Sequence, residues 1–168
     1  YEKALQLMEE SLAIERRLGN KEFIANHLLL IGMICESMAQ YDKALKYYEE
    51  ALPLLEELHL IPEKAELFHN IGSTYQAIGQ YDKARQSLES AISINRQLNR
   101  LHKVSSDLNV AGQVYTEMDQ YPKALEYFQE ALDIDKQRGD QAGVATHLHN
   151  IGTVYQEWGQ YPKALQYF

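Results

Sequence analysis

Apolar side chains recur at spacings of three and four along the chain. In 41–58, YDKALKYYEEALPLLEEL, the residues Tyr41, Ala44, Leu45, Tyr48, Ala51, Leu52 and Leu55 fall on one face of a helix. A second helical pattern runs through 62–79, PEKAELFHNIGSTYQAIG, with Ala65, Phe68, Ile71, Gly72, Tyr75 and Ile78 on one side. Breaks fall at Gly19-Asn20, Leu60-Ile61-Pro62, Asn99-Arg100 and Gly139-Asp140, and again before Tyr41, Tyr81, Tyr121 and Tyr161. The pattern predicts helices of about five turns at 3.6 residues per turn. Connections this short make neighbouring helices antiparallel. Pro122 and Pro162, and Asp42 and Asp82 in the same phase, suit a first turn. Proline has no amide hydrogen to waste there, and a carboxylate complements the positive end of the dipole. Pro53 falls inside a predicted helix and should bend it. No strand-like alternation survives this pattern, so the expected fold class is all-α.

The pattern is also periodic. Tyr1, Tyr41, Tyr81, Tyr121 and Tyr161 stand forty residues apart, each followed by x-Lys-Ala, and segments 41–80 and 121–160 are identical at seventeen of forty positions. Self-similarity on this scale marks stacked repeats, each burying its apolar face only against its neighbours. Gly32, Gly72, Gly112 and Gly152 recur mid-helix, where glycine costs roughly 0.5–1 kcal/mol against alanine. A side chain is therefore not tolerated there, and the expected reason is close approach of the partner helix at Ala44, Ala84, Ala124 or Ala164. Tyr75, Tyr115, Tyr155, Tyr48, Leu88, Phe128 and Phe168 are expected to fill the space around that contact.

These residues resemble the tetratricopeptide repeat. Its Leu-Gly, Tyr, Gly-x-Tyr-x-x-Ala, Phe, Ala pattern is matched at Ile71-Gly72, Tyr75, Gly79, Tyr81, Ala84, Leu88 and Ala91. It is matched again at Ile151-Gly152, Tyr155, Gly159, Tyr161, Ala164 and Phe168. The usual unit has ~34 residues. Six more per unit are similar to the long-repeat subgroup of kinesin light chains, spindle-orientation adaptors and bacterial signalling proteins. Local departures are Cys35 for the repeat tyrosine, Ala39 and Asp119 for the turn glycine, and Arg85 after Ala84. The resemblance implies a right-handed α-solenoid of antiparallel helix pairs, a single array over 1–168. Within it, 1–19 is the second helix of a preceding repeat. Repeats follow at about 20–59, 60–99, 100–139 and 140–168, the last truncated. With no initiator Met and no polar capping helix, the chain reads as a fragment of, or the ordered part of, a longer repeat protein. Its uncapped ends should then be adhesive, with Tyr1, Leu5, Met8 and Leu12 exposed on the first helix and end-to-end self-association the result.

Composition removes whole classes of function. A net charge of −8 disfavours nucleic acid and anionic membrane as partners. No apolar run approaches the ~18 residues of a membrane span. One cysteine, Cys35, rules out an internal disulfide framework and fits a reducing, cytoplasmic setting; in the place of the repeat tyrosine it reads as a small buried hydrophobe. His147 and His149 are two apart and diverge by about 200° on a helix, so they cannot share a metal and read as surface histidines. Asp133 and Asp135 splay in the same way and read as a solvated face. No phosphate loop or dinucleotide fingerprint is present. The expectation is a protein without catalysis or cofactor.

What remains is a binding surface. In the resembling family the first helix of each unit lines a concave groove, and ligand contacts come from positions around the Leu-Gly pair. Those positions are Asn26, Leu29, Leu30, Met33, Glu36 and Ser37 in the first unit, and Glu66, His69, Asn70, Ser73, Gln76 and Ala77 in the second. The third offers Ser106, Asn109, Val110, Gln113, Thr116 and Glu117, and the fourth Thr146, His149, Asn150, Thr153, Gln156 and Glu157. Amides and hydroxyls suit the main chain of an extended peptide, and Asn70 and Asn150 match asparagines that resembling adaptors use in that way. The positions hold four glutamates and no lysine or arginine, so the expected partner is a neutral or basic protein segment, not an acidic C-terminal tail. The implied function is a protein-interaction scaffold. Two alternatives stand beside it: the sensor or docking arm of a larger enzyme or transcription regulator, and homotypic assembly.

Overall fold

A computed structural model describes residues 2–168; Tyr1, one of the repeated tyrosines, lies outside the described residues. Among these residues there are nine helices and no strand. They are α1 (Glu2–Leu18), α2 (Lys21–Ser37), α3 (Tyr41–Glu57), α4 (Ile61–Ala77), α5 (Tyr81–Gln97), α6 (Leu101–Glu117), α7 (Tyr121–Arg138), α8 (Gln141–Glu157) and α9 (Tyr161–Ala164). Pro62, Pro122 and Pro162 stand in first turns, and α3 continues through the solvent-facing Pro53 to Glu57.

One turn separates all these helices. Residues 19, 39, 59, 79, 99, 119, 139 and 159 have positive φ, four of them glycine and the others Ala39, His59, Asn99 and Asp119. The next residue donates its N–H to a carbonyl five residues back, as in Gln40 to Cys35 (2.8 Å), Gln80 to Tyr75 (2.9 Å) and Asp140 to Asp135 (2.9 Å). This closes the helix by satisfying carbonyls that would otherwise lack partners. Ala39 and Asp119, departures from glycine in sequence, adopt the same left-handed turn with φ of 55° and 57°.

The helices form two compact units, Tyr1–Gln80 and Tyr81–Phe168. In unit 1, α1 packs on α2, α2 on α3 and α3 on α4, and α2 also touches α4. Its core holds Leu12, Leu28, Ile31, Tyr48, Leu55 and Leu67. Cys35 lies fully buried in that core, and burial pushes its thiol above the ordinary range. In unit 2, α5 to α9 pack in the same succession, around Tyr115, Phe128, Leu132, Ile151 and Val154. Ion pairs stitch alternate helices together at the surface: Arg16 to Glu50 and Lys43 to Glu9 in unit 1, Arg96 to Glu130 in unit 2.

Two packing expectations need correction. Gly32, Gly112 and Gly152 make room for an aromatic ring rather than for the alanine of the partner helix. A Cβ on Gly32 would strike the edge of the Tyr48 ring; on Gly112 it would lie 2.8 Å from Phe128, and on Gly152 2.7 Å from Phe168. Gly32 and Gly112 are the floor on which the next helix seats its ring, and Gly152 takes that of Phe168, just past α9. On α1, Leu5 and Leu12 are buried, not exposed, and Met8 packs partly against the core. The side chains α1 turns to solvent are Leu7, Ile14 and Leu18.

Candidate functional site

The predicted binding residues lie on α2 and α4 in unit 1 and on α6 and α8 in unit 2. On α2, Asn26, Met33 and Ser37 are exposed and Glu36 is half-buried. The Tyr48 hydroxyl donates to Glu36 Oε2 at 3.1 Å. Burial raises the Glu36 carboxyl above its ordinary range; the Tyr48 bond and the charge of His69 offset part of that. The structure thus brings Glu36 of α2 and His69 of α4 into one electrostatic neighbourhood. Glu66, Asn70, Ser73 and Gln76 are half-buried along α4.

In unit 2, the Asn150 side-chain amide donates to Asn109 Oδ1 at 2.7 Å, tying α8 to α6 across the predicted face. One amide nitrogen and one carbonyl oxygen of the pair remain for another partner. Gln113 and Thr153 are half-buried, while Glu117, Gln156 and Glu157 are exposed. The exposed His149 ring stands 5.5 Å from that of Phe168, and the Thr153 hydroxyl donates to the carbonyl of its own helix at His149. Two clefts in unit 2, of about 730 and 560 Å³, open elsewhere: both are bordered by the α7 carboxylates Glu126 and Glu130, and neither is lined by a predicted residue.

A polar cluster escaped the sequence reading. His147 and Asp135 are each only 3% exposed, so the assignment of both to a solvated surface is wrong, although Asp133 does face solvent. Ser105 of α6 donates to Asp135 Oδ2 of α7 at 2.7 Å, and His147 Nε2 of α8 lies 3.0 Å from the same oxygen and 3.1 Å from Ser105 Oγ. Arg138 donates to Asp135 Oδ1 at 2.6 Å. Burial alone would raise the Asp135 carboxyl, but the bonds from Ser105, His147 and Arg138 outweigh it and hold the carboxyl below its ordinary range. Gly143 leaves room for the carboxylate, which a Cβ there would strike. Serine, histidine and aspartate together suggest a nucleophile, yet the geometry is not that of a relay. Both partners share Nε2, whereas a relay uses the two ring nitrogens separately. His147 Nδ1 is buried without a partner, and the three side chains are closed to a substrate. The cluster pins three helices together.

One repeat earlier the same slots hold Asn95 and Asp107, both buried, with the Asn95 amide donating at 2.8 Å. Between α3 and α4 they hold Leu55 and Leu67, both fully buried, and between α1 and α2 the half-buried Glu15 and His27. The signal was present in sequence: the columns 55, 95, 135 and 67, 107, 147 change polarity together. Among the described residues no group of acidic, histidine and cysteine side chains could hold a metal ion. No helix there is long and apolar enough to cross a membrane.

Successive helices closed by one turn, with glycines seating aromatic rings, define an α-helical repeat protein. The tetratricopeptide repeat model matches residues 1–57 and 104–168, and a second tetratricopeptide model matches 65–98; the chain belongs to the tetratricopeptide repeat family. No curated protein matches it. Among solved structures, BtubC (BKLC) from P. vanneervenii superposes with a TM-score of 0.89 at 22% identity, covering 99% of this chain and 69% of that one. The nearly identical TPR-like repeats of a Podosopora anserina protein described as kinesin light chain give 0.85 at 18% identity, covering 99% and 82%. The Rap conjugation gene regulator of plasmid pLS20, in complex with the Phr* peptide, gives 0.75 at 25% identity, covering 86% of this chain and 41% of that one. The fold is therefore that of a tetratricopeptide solenoid, which is generally non-catalytic and serves protein interaction.

Proposed function

We propose that the chain is a non-catalytic, cytoplasmic interaction scaffold that binds an extended peptide or partner segment along its first-type helices, on the α2/α4 face of unit 1 or the α6/α8 face of unit 2. The observation that carries this reading is the row of half-buried amides and hydroxyls on α4, α6 and α8, with Asn109 and Asn150 already locked in one orientation. Donors and acceptors held at fixed positions lose little entropy on meeting a peptide main chain. The Rap regulator in complex with a peptide supports the same use of the fold. That regulator is also a longer protein, of which this chain spans 41%. It favours, as a second reading, a docking arm serving an effector domain. The glutamates of both faces point to a neutral or basic partner.

The test is a peptide-display selection against the chain, followed by titration of the selected peptides. Asn70→Ala with Asn150→Ala should weaken them at least fivefold while helical content stays constant. If affinity is unchanged but falls on Glu126→Lys, the ligand occupies the α7 clefts and the proposal fails.

A further inference from the structure

What α2 turns to solvent differs from what the other first-type helices show. Phe23, Asn26, Leu30, Met33 and Ser37 recur at three and four and form its outer face. Phe23, Leu30 and Met33 are 52%, 46% and 47% exposed. The places of Leu30 and Met33 are taken by Asn70 and Ser73 on α4, Val110 and Gln113 on α6, and Asn150 and Thr153 on α8. Single exposed hydrophobes need no explanation, but here three share one helix face beside a half-buried carboxylate.

That carboxylate is Glu36. Its Oε2 accepts from the neutral Tyr48 hydroxyl, and among the described residues it has no lysine or arginine partner. Burial is the largest influence on it, offset only in part by the Tyr48 bond and the charge of His69 on α4, so an incoming cation would add to the counter-charge of a group kept partly out of water. The spacing fits an extended ligand. From midway between Leu30 and Met33 to Glu36 is about 7 Å along the axis, at 1.5 Å per residue. In an extended chain, side chains two residues apart lie on one side, roughly 6.6–6.8 Å from each other.

We propose that α2 anchors an extended peptide of the pattern apolar–any–basic, its large aliphatic or aromatic side chain on Leu30 and Met33 and its lysine or arginine on Glu36. The inference rests on the peptide-binding reading above and adds which side chains the ligand must bring. Hydrophobic contact holds the first residue, and a charge-assisted bond in a partly dry setting selects the third. An acidic residue at the third place meets like charge and is refused.

The experiment uses three fluorescein-labelled nonapeptides in a Gly-Ser background, centred on Leu-Ser-Arg, Leu-Ser-Glu and Ser-Ser-Arg, titrated by anisotropy against the whole chain. Leu-Ser-Arg should bind about tenfold more tightly than either of the others. Glu36→Gln should abolish most of the Arg-over-Glu preference and keep the Leu-over-Ser preference; Met33→Ser should do the reverse. Circular dichroism checks that both variants fold, and their opposite effects control for general damage. Equal binding of the three peptides, or a preference that neither substitution moves, overturns this inference and leaves peptide binding standing. Failure of all three, together with an empty display selection, overturns both.

Discussion

The slot between a second-type helix and the following first-type helix is filled in two ways. The α3–α4 slot uses Leu55 with Leu67; the α5–α6 slot uses Asn95 with Asp107, the α7–α8 slot Asp135 with His147 and Ser105, and the α1–α2 slot of unit 1 holds the half-buried Glu15 and His27. The backbone around the slot is the same, a seventeen- or eighteen-residue helix, a left-handed turn and another helix. Apolar side chains fill the slot without directional demands, and most shapes of similar volume suit it. The polar set binds only the complementary partner, because each buried group left alone carries its full desolvation cost. The α5–α6 and α7–α8 slots have exchanged tolerance for selectivity.

The largest effect should come from breaking the polar slot by halves. Asp135→Leu strips Ser105, His147 and Arg138 of their common acceptor and should cost about 3–4 kcal/mol. Adding His147→Leu should restore most of it, since the pair then repeats the Leu55–Leu67 solution. Urea unfolding of the singles and the double measures the coupling, and additive losses would show that the slot is not a unit. Acid sharpens the contrast. The Asp135 carboxyl is lowered in the folded state, so its contribution is complete above the unfolded value of about 3.9 and disappears as pH falls through the folded value. The Glu36 carboxyl of unit 1 is raised, chiefly by burial. Its contribution is complete below the unfolded value of about 4.3 and is lost as pH rises through the folded value. The double leucine variant should lose the acid sensitivity of unit 2 alone.

The glycine seats give a second, smaller comparison. A methyl at Gly32 meets the Tyr48 ring more closely than one at Gly112 meets Phe128. Tyr48 is also held by its hydroxyl at Glu36 and is less free to retreat. Gly32→Ala should therefore cost about 2–3 kcal/mol and Gly112→Ala about 1–2 kcal/mol, read as a difference in thermal midpoint. Equal losses would mean that the two rings yield alike.

The turn residues give the smallest effect. Ala39 holds a left-handed φ that costs a side chain roughly 1–2 kcal/mol. Ala39→Gly should stabilise by about 0.5–1 kcal/mol, less the entropy glycine returns to the unfolded chain. Asp119→Gly should gain less, because aspartate tolerates this region better. A loss at Ala39 in the same unfolding assay would show that entropy dominates there.

The helices and the repeat were legible because apolar spacing and a recurrent glycine report directly on what must be buried. The glycine's neighbour was not, because the spacing of Gly32 and Ala44 reveals proximity of helices and not the rotamer by which Tyr48 lies over the gap. The polar slot was missed for another reason. His147 stands four residues before Ile151 and Asp135 three after Leu132, both in phase with buried positions. Residue type alone points a histidine and an aspartate to solvent, whereas phase places them inside. Their pairing needs two helices at once, which one helix's periodicity does not contain. The α2 and α4 faces show which groups meet solvent; residue type alone does not say what meets them.

The recurring turn has a consequence for how such a chain can be edited. Because residues 39, 79, 119 and 159 close their helices alike, a forty-residue block excised between two successive ones can be transplanted, duplicated or deleted with both seams unchanged. A block cut instead at 19, 59, 99 or 139 keeps equally good seams but separates 95 from 107 or 135 from 147, delivering a histidine to a leucine. Interchangeable joints thus have a preferred cutting frame, and grafts made in that frame are the ones that carry each matched pair intact to its new address.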